Sequence, residues 1–326
     1  GAPMADILDH PLSSPKTWTS ETLLENDGLV TLDDNCVVEL ERTAAALRAN
    51  PLPIEALRPD YFEMAACAAA MARVREQIED GVGFAIVDRL PMNGMESGVA
   101  TKLYWLLMSM IGRPVAQSWD GSMVYDVIDT GQKSLAGNGV RGSKTNNHQP
   151  YHNDNAFNRP PEFVGLLCLQ TAQDGGVSGL ISLETVYNIL LADYPDALAR
   201  LYEPFYFDRQ MEHSPDDQRW SFKPVFEPDG DGVIANFSPN RNKHGYEMNN
   251  APMDDATRAA IDAMVEVCEQ PGLGKSFTFQ PGQFQIVNNR KIAHRRTGFR
   301  DWPEPERQRH LVRMWLRDEG LPFYHG

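Results

Sequence analysis

The chain has 326 residues, with 30 Lys and Arg against 45 Asp and Glu and a formal net charge of −15. That sign excludes a general nucleic-acid binder, which carries a basic surface, and a protein that docks on anionic membranes. With 42% hydrophobic and 9% aromatic residues it is no acidic disordered tail, and its length suits one large domain or two small ones. Gly1-Ala2-Pro3 before Met4 reads as a remnant of cloning, and no signal-peptide series follows. The longest strongly apolar stretch, 103–111, is far shorter than the roughly 20 residues a bilayer needs. Cys36, Cys67, Cys168 and Cys268 lie far apart without a CxxC, which disfavours structural zinc and a disulfide scaffold. A cytoplasmic protein is the expectation.

Residues 4–58 are rich in Pro, Ser and charge and read as an irregular arm packed on the body. Asp60 is placed to cap a helix over 61–79, ended by Gly81 and Gly83. A buried strand over 84–87 and a helix over 96–111 follow. Beyond Pro114 the texture changes to short β-rich runs between turn signals, at 123–128, 163–169, 180–183, 205–209, 220–225, 232–237, 276–280, 284–287 and 310–316. Helical inserts at 184–202 and 254–269 interrupt them. Many short strands with Gly and Pro turns suggest a barrel or sandwich, and no fixed-period repeat is visible. No interdomain linker separates 59–326, which reads as a single domain. The Gly-rich polar segment 129–147 is either a mobile surface loop or a lid.

Of eight histidines, only one sits in an HxD or HxE pattern, within Tyr151-His152-Asn153-Asp154-Asn155-Ala156-Phe157. Residues two apart in an extended segment point to one side, so this imidazole and carboxylate can share a metal ion. The same tripeptide also suits a polar turn before the strand at Phe163. Far downstream, His294 ends a β segment that begins beyond the turn Gln280-Pro281-Gly282-Gln283. An antiparallel barrel can bring it back to form a two-histidine, one-carboxylate face with open coordination positions, which suits non-haem Fe(II). In Arg309-His310-Leu311-Val312-Arg313, period-2 geometry puts both arginines on one face. They offer guanidinium forks for a carboxylate, or a surface salt-bridge strand near Glu304 and Glu306.

Over roughly 80–318 these pieces resemble the TauD/TfdA group of Fe(II)- and 2-oxoglutarate-dependent dioxygenases. The anchors are the HxD, Pro160-Pro161 with the strand after it, Asp174-Gly175-Gly176-Val177-Ser178, Asn288-Asn289-Arg290 with His294, and the Arg309–Arg313 run. The resemblance implies a mostly β, α+β fold: a double-stranded β-helix, or jelly roll, flanked by helices. It implies that His152, Asp154 and His294 hold iron, and that Arg309, with Ser178 in place of a commoner Thr, binds the distal carboxylate of 2-oxoglutarate. Arg313 is a further basic residue for co-substrate or substrate. The implied reaction consumes O2 and 2-oxoglutarate, releases succinate and CO2, and hydroxylates a C–H bond of a small molecule. Desaturation or oxidative cyclisation at the same iron, a non-catalytic jelly-roll binding protein and a metal-dependent hydrolase are the alternatives. Tyr125, Asn146, Arg241 and Arg296 are candidate substrate contacts. His148 is a rival metal ligand without a partner at the right spacing, and His213 and His244 read as solvated loop residues. Neither nucleic acid nor membrane is expected as a partner, while self-association and the substrate are not legible. The segment from Arg290 to Arg313 carries eight basic residues against three acidic ones, a local reversal of the global charge.

Overall fold

The computed structural model describes residues 7–324, so the remnant read at 1–3 lies outside the described residues. In chain order, β1 (Leu29–Thr31) and α1 (Asp34–Ala49) precede α2 (Ala65–Glu79), β2 (Phe84–Asp88) and α3 (Ser97–Ser109). Then come β3 (Arg113–Val115), β4 (Tyr125–Val127), β5 (Gln149–His152), β6 (Phe163–Gln170), β7 (Asp174–Gly175) and β8 (Ser178–Ser182). Helices α4 (Leu183–Asp193) and α5 (Pro195–Leu201) lead into β9 (Phe205–Asp208), β10 (Trp220–Lys223), β11 (Phe226–Asp229) and β12 (Gly232–Ala235). Helices α6 (Pro239–Met248) and α7 (Asp255–Cys268) precede β13 (Lys275–Phe277), β14 (Phe284–Asn288), β15 (Ile292–Arg296), β16 (Phe299–Arg300) and β17 (His310–Arg317).

A seven-stranded sheet runs β1-β2-β14-β6-β17-β3, with β4 also on β17, and a four-stranded sheet runs β13-β8-β15-β5. Phe84, Val164 and Trp315 from the first sheet meet Leu180 and Ile292 from the second in one buried cluster, the interior of the sandwich. Removal of this apolar surface from water is the main stabilising term. Helices α1, α2 and α3 cover a second cluster built on Leu40, Met71, Leu107 and Leu167. Helices α4, α5 and α7 cover a third. Strand β6 is buried along almost its whole length because β14 and β17 flank it and α3 packs on it. The expected sheet-rich jelly-roll architecture with flanking helices is present as two facing sheets, without a closed barrel.

Four local expectations are corrected. Of the stretch 4–58, residues 7–28 are irregular as expected, but 34–49 are helical: Asp33 caps α1 by accepting Cys36 N–H at 2.9 Å, and Cys36, Leu40, Ala44 and Leu47 form its buried stripe. Strand β1 adds to the large sheet parallel to β2. Asp60 does not cap α2 but sits in a 3-10 turn, Pro59–Tyr61. The free N–H groups of α2 are met from another helix, by Glu39 of α1, which accepts Ala66 N–H at 2.9 Å and Cys67 N–H at 2.8 Å. The insert at 184–202 is two helices, broken before Pro195 because that ring cannot continue the hydrogen-bond ladder. Finally, the segment around Arg241 is helix α6 rather than loop, and it contains His244.

Candidate active site

Strand β15 pairs antiparallel with β5, and the register sets His294 directly opposite His152. Cross-strand partners on one face stand close enough for their side chains to touch, and the two imidazole rings lie 4.5 Å apart between centroids. Asp154, two residues past His152 in the turn leaving β5, completes a cluster whose ligand atoms all lie within 4.8 Å of one another. Its Oδ1 is 3.3 Å from His152 Nε2 and 3.2 Å from His294 Nε2. Among the described residues this is the only group of three such side chains with that closeness, and His148 is not part of it.

Two asparagines hold the turn. Asn153 donates to the carbonyls of Asn289, at 2.6 Å, and Ile292, at 3.3 Å, and accepts Phe237 N–H at 2.9 Å. Asn289 accepts Asp154 N–H at 2.9 Å and donates back to Asp154 O at 3.0 Å. Both side chains are buried, so these bonds are made where an unmet polar group is costly. Asn289 was legible only as a family anchor, and Asn153 only as the residue between two ligands.

Asp154 Oδ2 accepts Trp315 Nε1–H at 3.0 Å and faces Arg313 at 3.3 Å. Burial alone raises a carboxyl's pKa, but Arg313, His294 and His152 overcome it and hold Asp154 well below the usual carboxylate range. Burial pushes the His294 pKa down, with His152 and Arg313 in the same direction and Asp154 opposing. Burial thus disfavours the imidazolium, and the neutral imidazole is the form that ligates metal. His152 Nδ1 lies 2.8 Å from Pro150 O, which fixes its tautomer and leaves Nε2 for the cluster centre. The donor set of two imidazoles and one carboxylate fits a divalent iron with open positions.

Behind the triad lies an inner cavity of about 60 Å³, lined by Ser178, Leu166, Gln285, Arg296, Arg309 and Arg313 among others. Arg309 is 4% exposed and its Nη1 has no hydrogen-bond partner. Burial lowers its pKa to about 10, with Cys168 and Asp301 opposing. Burial and the neighbouring Arg309 lower Arg296 to about 9. A buried guanidinium with an unmet N–H fits the carboxylate of an acidic ligand. Gly176 makes room for it: at φ +69° its backbone suits glycine, and a Cβ would stand 2.9 Å from Arg309 Nε.

In front of the triad opens an outer pocket of about 260 Å³. Arg241 lines it, with Asp208 Oδ2 3.4 Å from Nη1 and Ser134 Oγ 3.4 Å from Nη2. The other candidate substrate contacts lie elsewhere. Tyr125 is under Arg313, whose guanidinium stacks 4.4 Å above its ring, and it bonds Ser143. Asn146 is outside the lining and accepts Phe299 N–H through its carbonyl. Arg296 lines the inner cavity and donates to Thr145 O and Asn147 O, tying down the end of the 129–147 loop. His244 is no solvated loop residue; it lies in α6, 3.7 Å from Asp208. Gln117 is a contact the sequence reading missed: it accepts from Arg313 Nε at 2.8 Å and donates to Arg313 O at 2.8 Å.

FR-33289 synthase from Streptomyces rubellomurinus is 25% identical over 325 residues, covering 97% of this chain and 93% of that protein. Taurine hydroxylase-like protein SAT17 from Stachybotrys chartarum is 26% identical, covering 97% and 82%. The fold matches asparagine oxygenase in complex with Fe(II), 3-hydroxyasparagine and succinate, with TM-score 0.66, 20% identity and coverage of 89% and 94%. It also matches the non-haem iron oxygenase OrfP in complex with Fe and alpha-ketoglutaric acid, with TM-score 0.61, 14% identity and coverage of 89% and 94%. The family model of the taurine catabolism dioxygenase TauD, TfdA family matches residues 49–315, and the chain belongs to that family.

Proposed function

We propose that the protein is an Fe(II)- and 2-oxoglutarate-dependent oxygenase that hydroxylates a C–H bond of a small molecule. In this reading His152, Asp154 and His294 hold the iron, and Arg309 with Ser178 binds the distal carboxylate of 2-oxoglutarate. The observation that carries it is the adjacency of two incomplete sites: three converging ligand atoms, and a buried guanidinium with an unmet donor in the cavity beside them. Bound iron would bring O2, the oxidant, together with 2-oxoglutarate and substrate; 2-oxoglutarate is oxidised to succinate and CO2, and the second oxygen atom is left for the C–H bond.

The chain's own residues orient and exclude. Pro150 O and Asp154 fix the faces the two imidazoles present. Trp315 and Arg313 occupy Asp154 Oδ2, which would leave Oδ1 as the oxygen to hold the metal. Ser178 is buried and offers a hydroxyl to the cavity that Arg309 also lines. Val127, Leu166 and Leu311 give the inner cavity apolar walls, a low-dielectric setting in which a guanidinium–carboxylate attraction is stronger than in water. The segment 129–147 contributes Ser134, Arg141 and Asn147 to the outer pocket and serves as its cover.

The test is spectroscopic. Purified protein mixed anaerobically with Fe(II) and 2-oxoglutarate is expected to develop a weak visible metal-to-ligand absorption band. Absence of the band from folded, iron-loaded protein rejects this reading.

A further inference from the structure

Gln117 lies between β3 and β4, is fully buried, and has each of its polar groups engaged. Its N–H donates to Ser122 O at 2.7 Å, and its carbonyl accepts from Arg141 Nη2 at 2.8 Å. Its side chain accepts from Arg313 Nε at 2.8 Å and donates to Arg313 O at 2.8 Å and to Met123 O at 3.0 Å. One amide side chain thus holds one arginine at both ends, backbone and guanidinium.

That arginine is the one that faces the triad. Arg313 Nη1 stands 3.3 Å from Asp154 Oδ2, and Nη2 has no hydrogen-bond partner among the described residues. The guanidinium also lies 4.4 Å from the centre of the Tyr125 ring and 4.9 Å from that of Trp315. Attraction to a ring face constrains the plane of a guanidinium more than its direction within that plane. The direction is therefore set by Gln117 on one side and Asp154 on the other. Ordering so long a side chain is costly, and a second fixed partner leaves less of that cost to the ion pair.

The network continues outward to the two segments that border the outer pocket. Arg141 belongs to the cover, 129–147, is buried, and pairs with Glu212 at 2.6 Å. Glu212, in the loop between β9 and β10, accepts Trp119 N–H at 2.9 Å, and its carbonyl accepts from Asn158 Nδ2 at 2.8 Å. Glu212, Arg141, Gln117, Arg313 and Asp154 form one chain of contacts, each 3.3 Å or shorter. Gln117 is the member that joins the cover to Arg313. Bonds made in such burial are strong, and a group left unmet there is costly.

Resting on the iron reading, we infer that Gln117 is a positioning residue. It fixes Arg313 against Asp154 Oδ2 and so couples the cover to a ligand of the metal. A coupling free energy between two sites is reciprocal: an ordered cover favours the metal as much as the metal favours an ordered cover.

The test uses Fe(II) alone, anaerobically, on the full chain. Gln117→Met keeps the bulk and removes both side-chain bonds to Arg313. It is expected to weaken Fe(II) about tenfold, the low end for a residue that orients a metal ligand. In an Arg313→Leu background the same substitution is expected to have no further effect, because Gln117 acts through Arg313. A Gln117 that only supports the fold would weaken iron by the same factor in both backgrounds. That result, or unchanged affinity in Gln117→Met, overturns the proposal. The second readout is trypsin cleavage after Lys133, which is exposed within the cover. Fe(II) is expected to slow this cleavage about fivefold in the wild type and not in Gln117→Met. Protection that is absent from the wild type, or equal in both proteins, overturns the coupling. Where Gln117→Met fails to fold, Arg141→Lys reads the same link from the side of the cover. Protection of Lys133 by Fe(II) is then expected to vanish, and protection at the wild-type level overturns the proposal. A wild type that binds no Fe(II) strikes the iron reading itself, whereas normal wild-type binding with an unaffected variant strikes only the role of Gln117.

Discussion

The inner cavity and the outer pocket share a wall of Ser143, Gln149, His152, Asp154 and Arg313, yet they treat positive charge differently. In the inner cavity Arg309 and Arg296 have no carboxylate within ion-pair distance among the described residues, and burial depresses both. In the outer pocket Arg141 and Arg241 each have an acid within ion-pair distance, Glu212 at 2.6 Å and Asp208 at 3.4 Å, although burial lowers Arg241 to about 10 as well. An unbalanced buried cation is tolerated where one ligand of fixed charge always arrives, because that ligand supplies the missing half of the pair. A backed cation suits a site that must stay formed while it waits for its ligand. On the proposed reading, the inner cavity takes the constant co-substrate and the outer pocket the variable partner of the reaction.

The largest effect comes from removing the shared wall. Asp154→Ala deletes a proposed iron ligand and leaves Arg313 and Trp315 without their shared acceptor. Loss of a residue that merely supports a ligand costs about 10- to 100-fold in metal affinity, so loss of the ligand is expected to exceed about 100-fold. Iron retained after gel filtration, measured against wild type, checks this; stoichiometric iron in the variant breaks the assignment. Next is Arg309→Ala, which removes a charge-assisted bond of about 2 kcal/mol, or roughly 30-fold in 2-oxoglutarate affinity. Its iron content is expected to be unchanged. A visible band that saturates at the wild-type 2-oxoglutarate concentration moves the clamp to Arg296 or Arg313. Trp315→Phe is smaller again. It keeps an aromatic ring in the sandwich interior but withdraws the N–H from Asp154 Oδ2, and about a tenfold weaker iron affinity is expected. An Fe(II) titration of the apoprotein measures it.

The parts of the molecule with an unambiguous local pattern were legible in the sequence. Strands β6, β14 and β17 announce themselves as apolar runs, and Ser97–Ser109 reads as a helix that stops at Gly112 and Pro114. The triad was legible because HxD spacing is visible locally and the return of His294 follows from the antiparallel topology. What the sequence does not carry is which surfaces meet. Helix α6 escapes because Pro-Asn-Arg-Asn-Lys-His has no apolar stripe. Its position depends on Gly245, where a Cβ would stand 2.7 Å from Phe207 N on β9. The signal that remained was Ser238-Pro239, an N-cap followed by proline at the first helical position. Helix α1 had both a cap in Asp33 and a stripe from Cys36 to Leu47, hidden only by the polar residues between them. The unpaired state of Arg309 and the paired state of Arg241 are properties of packing, and identical residue types give no hint of the difference.

A control that touches neither compartment gives the comparison its baseline. Glu39 of α1 accepts two of the free N–H groups at the start of α2, those of Ala66 and Cys67. Burial raises its pKa, but these N–H bonds, with Cys67 and Arg42, bring it below the ordinary 4.5. The folded value is the lower one, so the stabilisation is complete above pH 4.5 and is lost as pH falls through the folded pKa. Glu39→Ala removes a cap worth about 1 kcal/mol. It is expected to lower the melting temperature at pH 7 and to leave less difference from wild type at acid pH. Iron and 2-oxoglutarate binding should be those of wild type. If this variant shifts either affinity, the helical layer is coupled to the site, and part of what Arg309→Ala and Trp315→Phe measure belongs to general loosening rather than to the two cavities.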